Sequence, residues 1–135
     1  MPDFTHLHVH TQYSILDGAA DIAILINKTK EYRMDALAIT DHGNMYGAME
    51  FYEEAIKNKI KPIIGCETYV SEGTRFEKKG KEDRSGFHLI LLAKNLIGYR
   101  NLCRLSSLGF VEGFYYTPRI DKEILAKYSE GLIAT

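Results

Sequence analysis

The 135-residue chain is short of cysteine, of net charge and of long apolar runs, and each shortage removes a class of protein. Cys66 and Cys103 are its two cysteines, too few for a disulfide framework or a zinc ribbon. Both are read as small buried hydrophobes in a reducing setting. A formal net charge of −1, with acids and bases interspersed, carries no bulk signature of nucleic-acid binding. Any contact with phosphate must therefore come from a local site. No apolar stretch approaches the roughly 20 residues of a membrane span, and Met1-Pro2-Asp3 opens no secretory signal. A cytoplasmic location without membrane contact is expected. Missing too are a phosphate-binding loop of Walker type, a Ser-His-Asp signature and a cysteine nucleophile with a convincing base. No internal repeat or low-complexity tract is visible.

What is present is strand and helix in alternation. Phe4 to His10 is expected as a first strand. Asp21 is placed to cap a helix whose apolar stripe is Ile22, Leu25, Ile26 and Thr29. Ala36 to Thr40 reads as a short buried strand, and residues 44–57 as a helix with Ala48, Phe51, Ala55 and Ile56 inward. A third strand begins at Pro62 and runs on towards Val70. A fourth covers Leu89 to Ala93, with a helix after it around Tyr99 to Leu108. Residues 113–119 are expected as loop, 121–128 as a short helix and 132–135 as a fifth strand. Near-continuous apolar strands bounded by helices predict an α/β fold built on a parallel sheet or barrel. The exception is 72–86, dense in charge and glycine, expected as a solvated, mobile surface loop. Contact of Arg75, Lys78, Lys79 or Lys81 with a phosphodiester backbone is the alternative reading. The chain stops inside an apolar strand pattern and holds about four βα units, where a full barrel needs about 250 residues. It is therefore expected to be part of a longer protein, roughly the first half of a barrel, whose unpaired strand edges favour self-association.

All five histidines fall in clusters of metal-ligand residue types. On a strand, His8 and His10 point the same way, two residues apart, and are the strongest candidate ligand pair. His6 shares that face, is expected to sit deeper, and is read as structural. Asp17, in the turn before the first helix, would alone be a turn residue; beside the histidines it becomes a candidate ligand. Thr40-Asp41-His42-Gly43 follows a buried strand at the edge where barrel active sites collect. His42 is the ligand there, and Asp41 the supporting catalytic carboxylate, placed to orient an imidazole. Glu67 lies on an otherwise apolar strand, where a carboxylate is costly unless paired or metal-bound, and is suited to bridging two ions. His88 precedes its apolar run, so a parallel barrel would put it at the wrong end; spacing alone leaves its role open. Imidazoles with carboxylates suit zinc, manganese or iron(II) rather than calcium or magnesium. Several such ions together support phosphoester hydrolysis.

These motifs resemble a known family. Leu7-His8-Val9-His10-Thr11, Tyr13 to Gly18, Thr40 to Gly47 and Lys61 to Glu67 are similar to the polymerase and histidinol phosphatase (PHP) domain. Phe87-His88-Leu89, Gly98 to Leu102 and Glu130 to Thr135 extend the likeness towards the N-terminal PHP domains of bacterial replicative DNA polymerases. The resemblance implies a partial, distorted (β/α)7 TIM-like barrel, with 1–135 as its N-terminal part. It places the metal ligands at His8, His10, Asp17, His42, Glu67 and His88, for up to three ions, zinc or manganese, in a complete domain. Further ligands and the polymerase carboxylates of the family lie beyond this chain, so the isolated piece is expected to be inactive. The implied activity is 3′–5′ exonuclease proofreading on a DNA primer end. Implied partners are DNA, other polymerase subunits, the sliding clamp and a proofreading subunit. The alternatives are a non-catalytic module that braces the polymerase and docks a proofreading subunit, and a histidinol-phosphate-type phosphatase.

Overall fold

Asp21 opens the first helix by accepting a hydrogen bond from the Ile24 N–H at 3.1 Å. This is seen in a computed structural model that describes residues 4–15, 17–80 and 86–135. Helix α1 (Ile22–Glu31), strand β1 (Ala36–Ile39) and helix α2 (Ala48–Lys57) come first. They share one buried cluster of Ile22, Ile26, Leu37, Ile39, Phe51, Ala55 and Ile60. The apolar stripe of α1 is inward as predicted, with Leu25 partly buried. α2 starts later than expected because Asn44 is spent on the turn before it. Its side-chain amide donates to the Tyr13 and His42 carbonyls, and its oxygen accepts from the Tyr46 N–H. Ile56, expected inward, is 52% exposed. It lies a further 100° round the helix from Ala55, past the buried edge.

Residues 4–10 do not form the expected strand. The segment runs beside β1, but only the Ala38 N–H to His6 carbonyl bond (3.0 Å) and the Thr40 N–H to Val9 carbonyl bond (2.8 Å) are made along it. The Val9 N–H goes to the Thr40 hydroxyl instead of to a backbone carbonyl, which interrupts a ladder. Alternation still holds at its end. Val9 packs on the first core, leaving His8 and His10 on the other side. His6 is exposed and packs edge-on against Phe4, so it is not the deeper member of the set.

Strands β2 (Lys61–Val70) and β3 (Phe87–Ala93), helix α3 (Leu96–Val111), strand β4 (Arg119–Ile120), helix α4 (Lys122–Lys127) and strand β5 (Leu132–Ala134) follow. The sheet is mixed, not parallel. β2 is parallel to β1 (Ala36 opposite Lys61) and, at its far end, to β4 (Tyr69 opposite Arg119). β3 is antiparallel to β2, with Gly65 opposite Leu92 and Tyr69 opposite His88, and β5 is antiparallel to β3. A parallel partner needs a crossover, usually a helix. The β2–β3 connection has no helix among its described residues, so the chain returns as a long hairpin. Register then divides the faces. Cys66, Val70 and Leu91 pack under α3 and α4 with Leu102, Leu105, Ile120 and Ile124. Ala38, Ile63, Ile90 and Leu92 line the opposite face. Cys66 is buried as expected, Cys103 only half-buried.

The charged insertion is described only in part, since Lys81 and residues 82–85 lie outside the described residues. Arg75 is buried, donating through Nε to Glu112 (2.6 Å) and through Nη1 to Asp121 (2.9 Å), while its backbone N–H reaches the same Asp121 oxygen. It is a structural anchor rather than a cation held out for phosphate. Lys78 and Lys79 remain exposed, Lys79 beside Glu77. Burial alone would raise the Asp121 carboxyl. The backbone N–H groups of Arg75 and Ile124, and then the Arg75 guanidinium, outweigh it and hold that carboxyl below its ordinary value. A depressed folded-state pKa contributes stability above the unfolded value, about 3.9, that is lost as pH falls through the folded one. Asp121→Asn keeps the cap of α4 but removes the charge. It is expected to cost about 3 kcal/mol in urea unfolding at pH 7, with the gap to the native chain closing below about pH 4. A gap independent of pH would contradict this account.

Candidate metal centre

Glu67 stands on β2 in the same parity as Gly65 and Tyr69, on the face that also carries Ala38, Ile63, Ile90 and Leu92. Its side chain is 1% exposed, yet four imidazoles meet it. Oε2 faces Nε2 of His8 and, at 3.2 Å, Nε2 of His10. Oε1 lies 2.9 Å from Nδ1 of His42 and 2.9 Å from Nδ1 of His88. His42 arrives because the chain beyond β1 keeps pairing with β2 after a break. His42 bridges to Glu67 in parallel, and the Gly43 N–H donates to the Glu67 carbonyl at 2.8 Å. Gly43 has φ +63°, and a Cβ there would sit 2.4 Å from Pro118 Cγ, so no other residue makes this turn without displacing Pro118. His88 arrives because β3 is antiparallel. The start of β3 lies at the same sheet edge as the end of β2, which removes the objection that it precedes its apolar run.

Asp17 extends the set outward, its Oδ2 2.9 Å from His42 Nε2, and the rings of His10 and His42 are 3.9 Å apart between centroids. Ligand atoms of His8, His10 and Glu67 lie within 4.8 Å of one another, as do those of His10, Asp17 and His42. The two groups share His10 and therefore adjoin. Tyr69 is a member the sequence reading missed. Its hydroxyl is 2.8 Å from His42 Nδ1 and its ring packs edge-on against His88. Two-residue spacing from Glu67 on one strand was the signal for it.

Asp41 is placed differently from the expectation. It is buried and orients no imidazole among the described residues. Its Oδ1 accepts from the Thr11 N–H (2.6 Å) and Ser14 hydroxyl (2.7 Å), and its Oδ2 from the Thr11 hydroxyl (2.8 Å). Ser14 in turn accepts from the His42 N–H. Asp41 thus ties the turn leading to Asp17 to the strap carrying His42.

Charges across the site follow from these contacts. Burial alone would push the Glu67 carboxyl up, but the His8 hydrogen bond and the neighbouring His88, His42 and His10 outweigh it and leave it below its ordinary value. The hydrogen bond from His42 likewise lowers Asp17. Burial, then the Glu67 and Asp17 charges, push Tyr69 up to about 12, so it stays a protonated hydroxyl. Cys66 points to the helix side of the sheet, and burial raises its thiol. The donors at this edge are nitrogen and oxygen only, charge-matched to divalent cations and able to hold them.

Imidazoles and carboxylates gathered at one edge of a mixed α/β sheet form a cluster able to hold divalent metal. Residues 6–135 match the PHP domain, and the chain belongs to that family. Over 133 residues it is 56% identical to the DNA polymerase III subunit alpha of Borreliella burgdorferi, covering 98% of this chain and 12% of that protein. The same subunit of Chlamydia pneumoniae is 58% identical over 128 residues (94% and 10%), and that of Aquifex aeolicus 51% over 138 residues (98% and 12%). The chain thus spans about a tenth of the length of the curated relatives it matches. Among solved structures it resembles an amidohydrolase from Chromobacterium violaceum, described with bound sulfate and no metal. The TM-score is 0.56 at 25% identity, over 76% of this chain and 32% of that one. A proposed metal-dependent phosphoesterase from Bifidobacterium adolescentis shares the fold with TM-score 0.54 at 20% identity, over 78% and 33%.

Proposed function

We propose that this chain is part of the alpha subunit of a bacterial replicative DNA polymerase, and that its PHP domain hydrolyses phosphodiesters at a DNA 3′ end. The observation that carries this reading is the convergence of His8, His10, His42 and His88 on Glu67, with Asp17 beyond, at an edge open to solvent. His8, His10 and Glu67 would hold one divalent ion, zinc or manganese, and His10, Asp17 and His42 an adjacent one. Glu67 presents one oxygen to each pair of imidazoles and is the natural bridge, and His88 adds a nitrogen from β3. Such ions, when bound, acidify a water and neutralise phosphoryl charge. The chain's own groups do the rest. Asp41 holds the Thr11–Ser14 turn against His42, and Tyr69 keeps a hydroxyl proton at the His42 ring, available to a phosphate oxygen.

Two features favour catalysis over a purely bracing metal. Structural zinc sites are closed and commonly cysteine-rich, whereas catalytic sites keep an open position. Here the side chains of His8, Asp17 and His88 are 54%, 62% and 53% exposed, and the nearest cysteine faces away. On this reading the rest of the barrel and the polymerase domains come from a longer polypeptide. The primer end and the other polymerase subunits, including clamp and proofreading subunit, are its partners, and it works in the cytoplasm. No helix among the described residues is long and apolar enough to cross a membrane.

The test uses the intact longer protein. His10→Ala and His42→Ala are expected to abolish metal-stimulated trimming of a DNA 3′ end while leaving nucleotide incorporation. Unchanged trimming in both variants would rule the reading out.

A further inference from the structure

Beside Asp17 and His42 the surface opens into a cleft of about 450 Å³ whose walls carry five tyrosine or phenylalanine rings. Tyr69 and Tyr13 stand at its metal-centre end, and Tyr46, Phe110 and Tyr116 line the rest. These last three are 61%, 37% and 58% exposed, an unusual outlay of ring surface for a small α/β domain. Tyr46 and Phe110 have centroids 6.3 Å apart, and Phe114, 6.2 Å from Phe110 and stacked on it, continues the row away from the site. Tyr116 is held at φ +63°, a conformation that disfavours a bulky side chain, while presenting its ring at this cleft.

Among the described residues the lining contains one acid, Asp17, and no lysine or arginine. Without metal it offers phosphate no cation, but it accepts a flat, uncharged ring. A formal net charge of −1 supplies no bulk electrostatic attraction for a strand, so stacking is the favourable contact this cleft offers. A nucleobase is tied to its phosphate through a single sugar. A phosphodiester held at Asp17 and His42 accordingly leaves its base at the mouth of this cleft. We infer that the Tyr46–Phe110–Tyr116 cleft is a base-stacking subsite, which takes the unpaired terminal bases of a single DNA strand whose phosphodiester lies at the metal centre. The inference rests on the function proposed above and names the substrate feature that site selects. Stacking is tolerant of base identity, so the subsite admits any frayed end and excludes a paired one, whose bases face their partners.

The test separates binding from hydrolysis. The full chain, with manganese added, is titrated by fluorescence anisotropy with a short single-stranded oligonucleotide whose 3′ linkages are phosphorothioates that resist cleavage. The same strand carrying abasic sugars at its 3′ end is the comparison. The base-bearing strand is expected to bind about tenfold tighter. Tyr46→Leu and Phe110→Leu should each lose most of that preference while binding the abasic strand as before. Tyr46→Trp should retain it, which guards against a variant that has merely unfolded. Equal affinity of the native chain for both strands, or leucine variants that weaken both alike, overturns the inference and leaves a protein segment as the occupant of the cleft. Trimming of DNA ends is measured separately, with metal, in the intact longer protein. Base preference without trimming would sink the proposed function and spare the subsite. Trimming that ignores the end's bases, with no preference in binding, would do the reverse.

Discussion

Replacing Glu67 by glutamine is expected to weaken zinc or manganese binding by about 100-fold or more, at nearly unchanged fold. Loss of a residue that only supports a ligand costs 10- to 100-fold in affinity, and Glu67, which meets His10 with one oxygen and His42 with the other, is proposed above as a ligand itself. The amide keeps the size and one acceptor oxygen, but it loses the negative charge and cannot bridge two cations. Competition against a chromophoric chelator gives the affinity. The melting temperature with and without metal gives an independent readout, since a ligand that binds only the folded chain raises it. The native chain should gain stability on adding metal and the variant should not. Native-like affinity in the variant would mean that the imidazoles alone, or another edge of the molecule, hold the ion.

Arg119→Met is expected to destabilise the chain by about 4 kcal/mol and to expose the charged insertion to proteases. Arg119 is 1% exposed. Its Nε donates to the Gly113 carbonyl (3.1 Å), and its Nη2 to the carbonyls of Glu77 (2.6 Å) and Arg75 (3.2 Å). One side chain thus satisfies backbone acceptors from two segments far apart in sequence. Methionine fills similar space and leaves these acceptors buried without their donor, each costing about 1–3 kcal/mol. Urea unfolding reads the stability. Limited trypsin digestion of the folded variant should cut within 72–80 well before it cuts elsewhere, whereas native protein should resist there. Equal cleavage rates would show that this part of the insertion is not anchored through Arg119.

Helix α1 was legible because Asp21 gives a start signal before the stripe of Ile22, Ile26 and Thr29, whereas α2, which has no capping side chain, was read as starting too early. The ligand types were legible because histidines two apart and a carboxylate within an apolar strand are costly arrangements without a partner. Periodicity failed at residues 4–10, where the Thr40 hydroxyl displaces a backbone acceptor and no ladder forms. It failed for Arg75 because composition averages over a loop, and one guanidinium can be buried when carboxylates from α3's end and α4's cap meet it. Asp41 was misread because adjacency to His42 in sequence is not adjacency of side chains. The two alternate across the strap, one inward to Thr11 and Ser14, the other to Glu67.

From the chain alone came the candidate donors His8, His10, Asp17, His42 and Glu67, with His88 added by the family resemblance, their chemical suitability for divalent metal, and most of the strand–helix alternation that spaces them. Tertiary structure alone decided the direction of β3. Side-chain alternation specifies which face a residue takes but is blind to which way a strand runs, because the pattern reads the same in both senses. That direction depends on what connects two strands, and here a link with no helix among its described residues reverses the chain and brings His88 to Glu67. The aromatic cleft beside Asp17 was hidden for a similar reason. Its rings come from the ends of separate elements and become one surface only when the sheet edge assembles them.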